Sequence, residues 1–461
     1  MAARKPEEED LPFRRHNVGA GRNASYARLA DGPEWGAAKM LSANRYAAAA
    51  LLLILFVSRL IAQNPLRRHS GAPDPQPEVR IPVYGLGYQP PGPLPAFQFY
   101  SLVSLHYIDA HTLLFTFNTT GLIQRDTQCS TEDSERLVRA VVLDLPSGKA
   151  IRQTEWKLYD FANFVWTLGN GQLLFRRCSQ LFRLDASLKP TPFIDMGISV
   201  VALGLSPDRS VMLLEGEPPE KATAAKRPSA KGDMLSQLAD SILGERSRPQ
   251  INLDFIRIHP LAVIARSQAP FAVDLPILSE GFLETAGVSP HHGYDIVEQS
   301  YHNVQRPVVT IQSWCAPQLT AITDNVFVAQ TCKKGTGELA YQAFNLQGTR
   351  LWQIPFGEGR VRPQFLRTQD GAHFAIESLH ANHPVAALDR LSGDVIDTEI
   401  LDVYETLSGT RIGSLRITPV YTSGQNAAFS PGGKHIAVLR DGAIEIYALD
   451  TLAKEQQPVG K

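Results

Sequence analysis

The chain is poor in the residues that usually announce chemistry. Four cysteines stand among 461 residues, Cys129, Cys178, Cys315 and Cys332, and no two are spaced as Cys-x-x-Cys. That spacing excludes a zinc ribbon and a thioredoxin-type redox pair. Neither a Gly-x-Ser-x-Gly elbow nor a His-Glu-x-x-His helix occurs, and phosphate-loop and dinucleotide fingerprints are missing too. The enzymes carried by those motifs therefore find no support. The histidines group only as His291-His292 with His302, and as His373, His380 and His383. Neither group has an acidic partner at a ligand-like step, so they read as loop and turn residues. No catalytic, cofactor-binding or metal-binding residue is assigned, and no cofactor is expected.

Charge of one sign is lacking as well. Lys and Arg total 45 against 46 Asp and Glu, and beyond residue 62 the balance is 36 to 40. A chain without a basic excess has no electrostatic draw for nucleic acid. Hydrophobic residues make up 44% of the chain, enough for a large buried core.

Long apolar runs are scarce, and the longest is informative. Tyr46–Val57 (YAAAALLLILFV) is a run of about a dozen apolar residues, short of the roughly 20 that span a bilayer and matched to a signal-peptide core. Arg45 flanks it, and Leu60-Ile61-Ala62-Gln63 offers cleavage after Ala62. Counted from Met40 the signal has ordinary length, which leaves residues 1–39 as an over-extended start or a disordered terminus. The alternative is a retained membrane anchor over 46–62, a short transmembrane helix. Residues 63–96 are dense in proline (APDPQPEV, YQPPGPLP) and read as a spacer.

Beyond the spacer, turn signals recur before short β-rich runs. Asp109-Ala110-His111, Gly169-Asn170-Gly171, Ser206-Pro207-Asp208, Asp324-Asn325, Asp370-Gly371 and Pro431-Gly432-Gly433 each precede one, because Gly, Asn and Asp tolerate the positive φ of tight turns. A second element follows most of them: Leu143-Asp144, Leu184-Asp185, Phe344-Asn345, Leu388-Asp389 and Leu449-Asp450. The turns repeat at roughly 40–60 residues except across 208–324, where an unmarked unit is expected near His291-His292-Gly293. Such periods predict an all-β propeller of about six to seven four-stranded blades over residues 97–452, with a tail at 453–461. The polar stretch 216–250 interrupts the rhythm and reads as an insertion holding one short amphipathic helix. A β-sandwich or two unrelated all-β domains is the competing architecture.

The units SPGGKHIAVLRDGAIEIYALD and SPDRSVMLLE resemble the WD40-like repeats of bacterial TolB-like envelope propellers, and RAVVLDLPSGK is similar to units of exported, uncharacterised propellers. The resemblance implies a fold and an exported setting, not a reaction. An exported setting favours oxidised cysteines. Of three pairings, nearness favours Cys315 with Cys332, leaving Cys129 with Cys178; buried free thiols are the alternative. The run from Tyr341 to Trp352 resembles a quinoprotein repeat, whose tryptophan docks neighbouring blades, and Trp156 follows Gly148 at a looser offset. A purely structural tryptophan filling an inter-blade gap accounts for the same residues.

These readings converge on a non-enzymatic binding or scaffold module, periplasmic or secreted, in the bacterial cell envelope. Its ligand would be a protein or a carbohydrate, with membrane association only through residues 46–62. The alternative is a quinone- or metal-dependent propeller enzyme with its site at the central channel.

Overall fold

The computed structural model describes residues 75–90, 103–119, 136–158, 163–177, 179–195, 197, 199–217, 251–270, 273–288, 293–333, 338–357, 359–383, 395–420 and 425–455. They form seven antiparallel sheets, the blades of a β-propeller. Blade 1 is β2 (Ser104–Tyr107), β3 (Thr112–Asn118), β4 (Arg136–Asp144) and β5 (Ala150–Leu158). Blade 2 is β6 (Val165–Gly169), β7 (Gln172–Arg177), β8 (Gln180–Leu184) and β9 (Thr191–Asp195). Blade 3 is β10 (Ser199–Leu205), β11 (Val211–Glu217), β12 (Ile251–Arg257) and β13 (Ala262–Ala269). Blade 4 holds β14 (Gly281–Val288), β15 (Gly293–Ser300) and β16 (Gln305–Gln312). Blade 5 is β17 (Gln318–Ala321), β18 (Val326–Cys332), β19 (Leu339–Asn345) and β20 (Arg350–Pro355). Blade 6 is β21 (Arg360–Arg367), β22 (His373–Ala381), β23 (Ile396–Glu405) and β24 (Arg411–Ile417). Blade 7 takes β25 (Ala427–Phe429), β26 (His435–Arg440) and β27 (Ala443–Ala448) from the C-terminal end, followed by a short helix α1 (Leu449–Glu455).

Outside blade 4, the second strand of each blade is apolar in runs rather than alternating, because blades cover both of its faces. In β3, Leu113, Phe115 and Phe117 join the cluster shared with blade 7, while Leu114 joins the cluster shared with blade 2. Apolar clusters fill the other seams in turn, between blades 2 and 3, 3 and 4, 4 and 5, and 5 and 6. Trp156 and Trp352 sit on fourth strands and dock blades pairwise. Trp156 lies 4.6 Å from the Phe175 ring. Trp352 stacks on Phe374 at 5.6 Å and donates its indole N–H to the Thr406 carbonyl at 2.8 Å.

The ring closes through the segment expected as a spacer. Val79–Pro82, β1, pairs antiparallel with β27 in the register Val79 with Ile446 and Ile81 with Ile444. It becomes the fourth strand of blade 7, while Tyr88 packs its ring 5.5 Å from Phe115 in blade 1. Proline density misled the reading of 63–96. Pro82 ends an outermost strand, where a missing N–H costs no ladder bond.

Three further departures have local causes. Blade 4 has three full strands, and the inner position is reduced to the bridge between Ile277 and Phe282. The insertion read at 216–250 begins later, since Gly216 still pairs with Val200; the rest of it, including its expected helix, lies outside the described residues. Leu388-Asp389 also lies outside them. The third-to-fourth turn of blade 6 is instead Glu405–Thr410, where Gly409 donates to the Glu405 carbonyl at 2.9 Å.

Cys315 and Cys332 form a disulfide with Cα atoms 5.7 Å apart. Cys129 and Cys178, and residues 1–74 with the signal or anchor segment, lie outside the described residues. Among the described residues no helix is long and apolar enough to cross a membrane.

Ile81 is 5% exposed and packs against the Gly148 turn of blade 1 as well as blade 7, so it secures the closure from both sides. Ile81→Ala should cost about 2–4 kcal/mol in denaturant unfolding, whereas Arg80→Ala on the solvent face of the same strand should cost far less. Equal effects would mean that β1 does not hold the ring shut.

Candidate ligand site in the central channel

Every first strand runs the same way along the channel, so the first-to-second turns gather on one face. Three of these turns are built alike: Ser206-Pro207-Asp208-Arg209-Ser210, Thr368-Gln369-Asp370-Gly371-Ala372 and Ser430-Pro431-Gly432-Gly433-Lys434. In each, the fourth residue donates its N–H to the first carbonyl, at 2.9, 3.1 and 2.9 Å respectively. The first hydroxyl in turn accepts the N–H of the strand that follows, at 3.0, 3.1 and 3.1 Å. The fourth residue is left-handed in all three, with φ of 63°, 68° and 63°. Blades 6 and 7 place glycine there. Blade 3 places Arg209, although a side chain is disfavoured in that region.

Between the inner strands lies a cavity of about 340 Å³. Its polar lining includes His106, Thr167, Arg209, Gln364, Arg367 and Gln425, on blades 1, 2, 3, 6 and 7. Arg367 reaches across the channel beside the reduced blade 4. It donates from Nη1 to the Ala321 carbonyl and from Nη2 to the Leu205 carbonyl, both at 2.7 Å. This arginine stitches blades 3, 5 and 6 together. Burial, and then the nearby Arg209 charge, lower its pKa to about 10, so it stays cationic at neutral pH.

Arg209 differs in having no such partners. Among the described residues no hydrogen bond or ion pair engages its guanidinium, and desolvation alone lowers its pKa. Its chain neighbour Asp208 is turned away, accepting through Oδ1 from the hydroxyls of Ser206 at 2.6 Å and Ser210 at 2.9 Å. Gly169 gives Arg209 and Gln369 room: a Cβ there would lie 3.3 Å from Arg209 Nη1 and 2.8 Å from Gln369 Nε2. Asp324 stands nearby with its carboxyl raised by burial and its Oδ1 accepting from the Ser279 N–H at 2.8 Å.

His106 faces the same cavity at 7% exposure. Its Nδ1 lies 3.5 Å from Thr167 Oγ1, and Nε2 has no partner. Burial drops its pKa to about 3, which leaves a neutral imidazole. Tyr107 Oη is likewise buried without a partner, and burial raises its pKa.

The histidine groups noted in the sequence do not assemble. His373 and His380 sit at opposite ends of β22, with His380 Nδ1 held 2.9 Å from Asp397 Oδ1, while His302 lies in an exposed turn. His291 and His292 lie outside the described residues. Among those described, no group of three or more His, Cys, Asp or Glu is placed to hold a metal. A second cavity of about 1000 Å³ opens between blades 4 and 5 beside Cys332, walled by Gln312, Thr331, Gln342 and Gln353. It lacks a buried charged group. Sequence reasoning missed Arg209 and Arg367, though an arginine at the glycine position of a repeated turn was visible by aligning SPDRS with SPGGK.

No family model matches the chain, and no curated protein matches it. Among solved structures, the Neurospora crassa Pan2 WD40 domain is similar at 10% identity, covering 82% of this chain and 95% of that one, with a TM-score of 0.39. A putative TolB from Agrobacterium tumefaciens is similar at 11% identity over 57% and 85%, with a TM-score of 0.32. Kuenenia stuttgartiensis hydrazine synthase is similar at 12% identity over 79% and 81%, with a TM-score of 0.30. The assignment as a β-propeller rests on the seven sheets themselves.

The lowered pKa of His106 makes a signed prediction. A folded-state pKa below the ordinary 6.5 stabilises the fold fully above pH 6.5, and that contribution is lost as pH falls toward about 3. The stability difference between the parent and His106→Leu should therefore shrink, or shift in favour of the leucine variant, between pH 6.5 and 4. Parallel stability-versus-pH curves would show that the imidazole is not held neutral.

Proposed function

We propose that the protein is a non-enzymatic binding or scaffold propeller of the bacterial cell envelope, periplasmic or secreted, taking a protein or carbohydrate ligand at its channel. The chemistry of the cavity carries this reading: it offers fixed recognition groups rather than a proton-transfer pair. Amides, hydroxyls and two guanidiniums line it, and its imidazole, with a pKa of about 3, is neutral and a poor base at neutral pH. Export is supported by the apolar run Tyr46–Val57 with the cleavage point at Ala62, and the oxidised Cys315–Cys332 pair suits an oxidising compartment. A quinone-dependent enzyme is the second reading, favoured by the docking of Trp156 and Trp352 on neighbouring blades.

Metal and quinone analysis of the full chain purified from the envelope, with N-terminal sequencing of the same material, tests both parts. Neither cofactor should be found at stoichiometric level, and the first residue should be Gln63 or close to it. A stoichiometric, tightly bound metal or quinone would overturn the non-enzymatic reading. An uncleaved membrane-bound chain, or any peptide from residues 1–39, would overturn cleaved export from Met40.

A further inference from the structure

We propose that Arg209 is the anchor of a carboxylate-binding site in the channel, and that the ligand is a small organic acid with a hydroxylated body, such as an acidic monosaccharide. The inference rests on the binding-module reading and deepens it.

The turn itself is the first observation. Three first-to-second turns share one hydrogen-bond pattern and one left-handed position, and glycine fills that position in blades 6 and 7. Arg209 at φ 63° works against the turn, because a Cβ is disfavoured there while glycine adopts the conformation freely. Residues held in such sparsely populated conformations cluster at functional sites.

The second observation is where that side chain goes. Its guanidinium lines the cavity and meets no acceptor among the described residues, although burial opposes its charge. Three charged neighbours have other engagements. Arg367 donates to two carbonyls, while Asp208 accepts from two serine hydroxyls and Asp324 from the Ser279 N–H. No carboxylate lines the cavity, so two positive groups face it together. A carboxylate is the planar acceptor that a guanidinium fork binds through paired hydrogen bonds.

The rest of the lining defines the body of the ligand. Gln364 and Gln425 supply both donors and acceptors, and Asn163, Thr167 and Gln369 add further amide and hydroxyl groups. Such groups match hydroxyls, which also donate and accept. About 340 Å³ lies at the small end of ligand pockets and fits a single sugar-sized acid.

The experiment compares the parent with Arg209→Gly and Arg209→Lys, using calorimetric titration with glucuronate, citrate, glucose and inorganic phosphate, and thermal unfolding without ligand. Glucuronate should bind the parent with glucose at least about tenfold weaker, and Arg209→Gly should lose about tenfold or more of the glucuronate affinity. Arg209→Gly should melt at the same temperature as the parent or higher, since it restores the glycine of the sister turns. Arg209→Lys should retain part of the affinity. Citrate binding with the same Arg209 dependence also supports a carboxylate site and marks the body as less selective than a sugar pocket. Absence of binding to either acid, equal binding by Arg209→Gly, phosphate outcompeting both acids, or a clear destabilisation of Arg209→Gly would each overturn the proposal. A cofactor-free parent that binds no acid removes the carboxylate site alone, whereas a stoichiometric cofactor in the same preparation removes the binding-module reading beneath it.

Discussion

The pairing of β1 with β27 is the constraint on which the rest of the ring depends. A propeller blade has no stability of its own, since each sheet buries its faces only against the next. Seven such faces make a closed circuit only when the first and last blades meet. Here blade 7 is assembled from both ends of the chain, and backbone hydrogen bonds supply the junction. The Glu78 N–H reaches the Ile446 carbonyl at 2.8 Å, and the Val83 N–H reaches the Gly442 carbonyl at 3.0 Å. Arg80 adds an ion pair to Glu445 at 3.0 Å across the same ladder, though its exposure limits what that pair contributes.

Closure also explains the polarity of the centre. Inner strands converge on the axis with few neighbours to cover them, and polar side chains from several blades meet there. On either side of blade 4, whose inner strand is reduced to one bridge, main-chain carbonyls of blades 3 and 5 take side-chain donors. Arg367 supplies them from blade 6. One arginine therefore serves as structure and leaves Arg209, beside it, with its donors uncommitted. The same ring buries Glu377 and Glu399 between blades 6 and 7, where burial raises the Glu377 carboxyl and the two side chains bond to each other.

Much of this architecture is legible in residue patterns. The turn pairs marked the first-to-second hairpins correctly, because Gly and Asn at positive φ meet a local requirement: Asn170 and Gly171 adopt φ of 50° and 73° between β6 and β7. Blade 4 left no such mark, since its inner strand is only a bridge. The closing strand was illegible for a different reason. Its neighbours in sequence are prolines, while its partner lies at the other end of the chain. Leu388-Asp389 lies outside the described residues, and the third-to-fourth turn of blade 6 carries LSGT at 407–410, a placement that only the pairing of β23 with β24 reveals. The channel residues were hidden by long-range geometry: nothing local to Arg367 foretells a carbonyl in blade 3.

The junction also imposes an order of events on the nascent chain. Arg80 and Glu445 are separated by 365 residues, so at about 5–20 residues per second the ribosome takes roughly 20–70 s to deliver the partner of a strand made near the start. Throughout that interval β1 offers an apolar edge, Val79 and Ile81, with nothing to pair with. An unpaired edge of this kind is a template for association with other chains. Keeping it short, four residues with Arg80 inside and a proline at its end, limits that hazard while leaving enough backbone to latch the ring once the last blade arrives.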